Sequence, residues 1–68
     1  MPMHYEIRVA GTMSETMLSE GFPELDSYVV PSQTVLFGQV VDEAHLYGLL
    51  DRFRALGLRV VEFRQLPD

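Results

Sequence analysis

The chain has no cysteine and no lysine, and only two histidines. Without cysteine there can be no disulfide staple, thiolate zinc site or cysteine nucleophile. Without lysine, Schiff-base chemistry and a P-loop lysine are excluded. All five basic residues are arginines, set against ten acids, for a net charge of −5. That balance is a poor footprint for a nucleic-acid binder, so no nucleic-acid partner is expected. No apolar run approaches the ~18 residues of a membrane span, so no membrane association is expected either. Met1-Pro2-Met3 lacks the charged and apolar regions of a signal peptide, which makes a cytoplasmic location the default expectation.

What is present is a small folding unit. Hydrophobic residues make up 47% of the 68, too many for a disordered chain. A chain of this size buries only about 60% of the surface its unfolded form exposes, so its core is marginal. Residues 1–68 read as a single compact domain with no internal repeat.

Charge is unevenly placed. Between Arg8 and Arg52 there is no basic residue, while Glu15, Glu20, Glu24, Asp26, Asp42, Glu43 and Asp51 are all acidic. This stretch reads as a solvated acidic surface.

Residues 4–10 alternate, with Tyr5, Ile7 and Val9 on one face and His4, Glu6 and Arg8 on the other, which is a half-buried strand. Thr12 and Glu15 fit a capping box opening a short helix with Met13, Met17 and Leu18. Gly21 suits the left-handed position past its end, and Pro23 prevents continuation. Tyr28–Val30 and Val35–Val41 read as strands joined by Pro31-Ser32-Gln33-Thr34. Centring the hairpin there sets Val30 opposite Val35, Val29 opposite Leu36 and Tyr28 opposite Phe37. Asp42 caps a longer helix carrying Leu46, Leu49, Leu50, Phe53 and Leu56 on one side, and Gly57 ends it. Leu58–Leu66 is the last strand, with Val61 and Phe63 on its core side.

The order strand, helix, strand, strand, helix, strand predicts an α+β fold, a ferredoxin-like βαββαβ plait. Its sheet would be four-stranded and antiparallel, of order 4-1-3-2, with a short first helix and one long helix on one face. One register of the first and last strands sets Glu6 against Arg64, Arg8 against Glu62, Ile7 against Phe63 and Val9 against Val61. Two opposite-charge pairs and two apolar pairs follow together, as cross-strand pairing demands.

Burying Gln39 unpaired would cost about 1–3 kcal/mol, so Leu36 and Val40 are placed inside. Gly38 between them would let a helix approach closely. Tyr28, Val30, Val35 and Phe37 then form an apolar patch on the open sheet face. This patch is the candidate interface of a homodimer in which two open sheets pack together. The outer side of the long helix, with Ala44, Gly48 and Ala55 around Asp51, is a second candidate.

Chemistry is sparse. Asp42 and His45 lie one helical turn apart, a spacing a metal could use, but the cap accounts for Asp42 and the edge of the apolar face for His45. No metal or cofactor is expected. G-x-S-x-G, Walker and dinucleotide-binding patterns are missing, so no catalytic residue is assigned and an enzyme is disfavoured.

The segments 5–11 and 34–58 resemble a group of short, uncharacterised bacterial proteins of about 70 residues. They share a pattern of the form T-V-L-x-G-x-V-x-D-x-A-x-L-x-G-L-L-x-R-x-R-x-L-G-L, carried here by Thr34-Val35-Leu36, Gly38, Val40, Asp42, Ala44, Leu46 and Gly48-Leu49-Leu50, then Arg52, Arg54 and Leu56-Gly57-Leu58. The resemblance implies a stand-alone small domain with no assigned function and no catalytic residues to carry over. Residues 12–31 depart most from the group's pattern.

The expectation is therefore a small non-catalytic binding or regulatory module, acting as a homodimer through contacts with protein or a small apolar ligand. Met13 and Met17 suit such contacts. One alternative is a small dimeric plait enzyme in which a cavity forms between helices and sheet and His45 or Tyr47 relays a proton, its mark being a closed pocket with His45 pointing into it. Another is a structural accessory subunit of a larger complex.

Overall fold

A computed structural model describes residues 2–67. The elements are β1 (Met3–Ala10), α1 (Glu15–Gly21), β2 (Asp26–Val30), β3 (Gln33–Val40), α2 (Glu43–Ala55) and β4 (Val60–Leu66). The fold is α+β, with all strand pairs antiparallel in one four-stranded sheet. Across that sheet the strands run β2-β3-β1-β4, which counted from the opposite edge is β4-β1-β3-β2.

Alternation decides which face is covered. Ile7 and Leu36 are direct partners, and with Val9 and Val40 they form the sheet side of the core. Phe22, Leu46, Leu49 and Phe53 close it from the helix side, so both helices lie on one face. Phe22 and Phe53 stack with centroids 4.3 Å apart, fixing the end of α1 against the last turn of α2.

β1 and β4 pair Glu6 with Arg64, Arg8 with Glu62 and Ile7 with Phe63, the register that charge and alternation require. The expected Val9–Val61 pair does not form. A bulge follows Arg8, Val9 pairs with Val60, and Val61 turns outward to 49% exposure. One extra residue reverses which valine reaches the core.

The hairpin is tighter than its turn composition suggested. Pro31 and Ser32 alone form the turn, and the pairs are Val30–Gln33, Val29–Thr34 and Tyr28–Val35. The register moves by two residues, so every side chain keeps its face. Ser32 takes a positive φ of 67°, and its carbonyl accepts from the Gly11 N–H at 2.8 Å.

The helix ends also differ in detail. Ser14, not Thr12, caps α1, its hydroxyl accepting from the Met17 N–H at 3.1 Å. Gly21 is the last helical residue and Phe22 the C-cap. Thr34 does what the capping box was expected to do for this loop. Fully buried, its hydroxyl donates to the Gly11 carbonyl (2.9 Å) and accepts from the Met13 N–H (3.0 Å). α2 follows expectation: Asp42 accepts from the His45 N–H at 2.9 Å. Gly57 at φ 72° closes the helix with Gly57 N–H to Arg54 and Leu58 N–H to Phe53, a Schellman pattern.

Gly38 permits a close approach, but by a loop rather than a helix. A Cβ there would lie 3.0 Å from the Leu25 side chain, because residues 24–25 cross the sheet at this point.

Candidate interaction face and its surroundings

The open face of the sheet is built from the alternate residues of all four strands. On β4 and β1 it carries the charged ladder. Arg8 Nε is 3.1 Å from Glu6 and 3.7 Å from Glu62, and Arg64 Nε is 3.6 Å from Glu6. Glu6 thus sits between two guanidinium groups.

The β2–β3 half is apolar, though less exposed than the sequence suggested. Tyr28 is 46% exposed and its ring tilts against Phe37, centroids 5.8 Å apart. Val30 and Phe37 are half-buried. Val35 has no exposed surface at all, which removes it from the patch. Its neighbours in the ladder are Arg8 on one side and Tyr28 on the other, and their longer side chains wall it off. Arg8 also reaches Gln33 Oε1 at 3.4 Å, drawing its stem across this part of the face.

Asp42 and His45 are close together at the start of α2, their polar atoms engaged by neighbouring groups. The Asp42 carboxylate is occupied by the His45 N–H. The His45 ring accepts from the Val41 N–H at Nδ1 (3.1 Å), so its proton sits on Nε2 and donates to Glu24 Oε2 (3.1 Å). Both ring nitrogens are engaged. Among the described residues no group of three or more His, Asp or Glu could hold a metal ion.

The sequence reading missed Glu24, which falls within the acidic stretch expected to be solvated. Its carboxylate receives Arg52 through two hydrogen bonds, of 3.0 and 2.8 Å, and His45 besides. Arg52 also donates to the Gly21 carbonyl at 3.0 Å and lies over the Phe22 ring. The Arg52 guanidinium holds the Glu24 carboxyl at about 2, well below its ordinary 4.5, and the Arg52 pKa is raised in turn. The available signal was the seven-residue spacing of His45 and Arg52. It puts two polar donors two turns apart on one edge of α2, where a single carboxylate can meet both.

Two open depressions flank α1. One of about 470 Å³ is lined by Leu18, Phe22, Pro23, Leu25 and Asp26 among others. The other, about 420 Å³, lies between Met17, Glu20, Gly21 and Leu56. His45 and Tyr47 line neither, and Tyr47 is 61% exposed. The second candidate interface, on the outer side of α2, leaves Ala44 and Ala55 exposed, with open space above Gly48. Exposed apolar side chains that the sequence did not single out lie on β4, where Phe63 is 42% exposed and stacks on Tyr5 at 5.7 Å.

These features define a small α+β domain whose two helices cover one face of a four-stranded antiparallel sheet. No helix among the described residues is long and apolar enough to cross a membrane. The chain belongs to the family described as a domain of unknown function, DUF8691, whose family model matches residues 4–64. Neither the curated proteins nor the solved structures provide a match.

Proposed function

We propose that this protein is a small non-catalytic binding or regulatory module on a ferredoxin-like plait. It acts as a homodimer and meets a partner protein or small apolar ligand on the open sheet face around Tyr28, Val30 and Phe37. One observation carries the reading: both helices pack on the opposite face, and the open face presents an aromatic pair beside a charge ladder whose members already pair with each other. An apolar patch next to neutralised charges offers contact area at a low desolvation cost. Marginal burial in so short a chain favours a second subunit.

The test has two parts. Light scattering should give twice the chain mass. An environment-sensitive apolar dye should brighten with the native protein and lose most of that signal with Tyr28→Asp, a substitution at an exposed position. A single-chain mass together with unchanged dye binding would sink the reading.

A further inference from the structure

We infer that the homodimer forms by antiparallel pairing of β4 with β4 of a second copy, the two-fold axis passing beside Phe63. This deepens the homodimer reading, on which it rests, by placing the axis. It also leaves the Tyr28–Phe37 patch free for a partner at the far ends of a continuous eight-stranded sheet.

The two sheet edges are not equivalent. β2 is five residues long and opens on Asp26-Ser27, while a proline directly follows both edge strands, Pro31 after β2 and Pro67 after β4. β4 is seven residues long, Val60-Val61-Glu62-Phe63-Arg64-Gln65-Leu66, with no proline, glycine or lysine. It pairs with β1 on one side only. A long edge that exposes apolar side chains is a template for another strand, but its charges Glu62 and Arg64 and its bulge are devices that blunt an edge, so an incoming strand must complement those charges in sign. The bulge at Val61 lies outside the central triplet Glu62-Phe63-Arg64.

Self-pairing can be decided by register. With both sets of helices on the same face of the joined sheet, the axis must fall at a residue, because side-chain alternation has to match across the seam. An axis at Glu62 opposes Glu62 to its own copy, and an axis at Arg64 opposes two arginines; both set like charges face to face. At Phe63 the pairs become Glu62 with Arg64 and Arg64 with Glu62 across the seam. Phe63 then meets Phe63, and the match is confined to this central triplet because the bulge at Val61 breaks the alternation beyond it. Both charge pairs are opposite in sign and lie on the open face, where they extend the Glu6–Arg64 and Arg8–Glu62 ladder from one chain into the next. The two phenylalanines meet on the helix face, beside the Tyr5 rings on which they stack. A single strand that is complementary to itself in sign and apolarity is what an isologous contact requires.

The absence of cysteine makes the test clean. Directly opposed residues in antiparallel strands have Cα atoms about 4.5–5.5 Å apart, within the span of a disulfide. Phe63→Cys should therefore give a covalent dimer on mild oxidation. Val29→Cys, exposed on the opposite edge strand, should remain uncrosslinked under the same conditions. Phe63→Lys places like charges on the axis and should halve the mass seen by light scattering, with the far-UV circular dichroism retained because Phe63 is half open to solvent. A doubled native mass with no Phe63→Cys cross-link would overturn β4 pairing while leaving the homodimer standing. A single-chain native mass would overturn both.

Discussion

Glu24 and Arg52 face each other through two parallel hydrogen bonds, Nη1 to Oε1 at 3.0 Å and Nη2 to Oε2 at 2.8 Å. The pair ties the loop after α1 to the last turn of α2, across 28 residues of chain. Bidentate geometry sets it apart from ordinary surface ion pairs, since the planar fork matches the carboxylate.

The consequence is a pH dependence of known sign. The Glu24 carboxyl titrates near 2 when folded, against 4.5 ordinarily. A lowered folded value means the stabilisation is full above pH 4.5 and is lost as pH falls toward 2. Solvent around the pair limits its worth to about 1 kcal/mol. Glu24→Gln should lower stability by about that amount at pH 7 and flatten the acid limb of a denaturant-derived stability profile. An unchanged acid limb would show that the pair contributes nothing to stability.

Two glycines should respond to alanine with opposite signs. Gly48 lies inside α2 with no atom within 4 Å of where a Cβ would stand, so Gly48→Ala should stabilise by about 1 kcal/mol. Gly57 holds φ at 72° to close the same helix, and Gly57→Ala should cost about 1 kcal/mol. Urea unfolding of both variants measures the contrast directly. A destabilised Gly48→Ala would mean that close packing in a dimer occupies the outer side of α2.

Thr34→Val keeps the shape of a buried residue but removes the hydroxyl shared by Gly11 and Met13. The Met13 N–H then loses its partner in a buried site, at a cost of about 1–3 kcal/mol. Amide exchange at Met13 should accelerate more than exchange across β1, whose ladder is untouched. Uniform acceleration would mean that the loss is global.

His45 should be the Nε2–H tautomer when neutral, because the Val41 N–H occupies Nδ1. Imidazole nitrogen shifts measured by NMR read this directly, and Glu24→Gln should preserve it. A protonated Nδ1 in the neutral ring would contradict the Val41 bond.

Local chemistry written along the chain accounts for much of this fold. The alternation of Tyr5, Ile7 and Val9 and the periodicity of Leu46, Leu49 and Phe53 select faces. Asp42 and Gly57 bound α2. The charges Glu6, Arg8, Glu62 and Arg64 set the β1–β4 register, because only one pairing satisfies all four. These signals are strong because each depends on residues within an element or on one strand pair.

Other features required the chain to be assembled. Alternation alone puts Val61 in the core, since it has no means of announcing a bulge, and the extra residue reverses it. Face assignment alone leaves Val35 exposed, since it ignores how far Arg8 and Tyr28 reach sideways. The Asp42–His45 spacing was legible, but the partners that occupy the His45 ring, Val41 and Glu24, were not. Sequence alone determined the elements, their order, the covered face and the lack of a thiol or lysine for chemistry. Only the tertiary structure decided which acid in an acidic stretch is paired and which valine of β4 reaches the core. Both depend on distances between elements, which residue spacing along the chain does not contain.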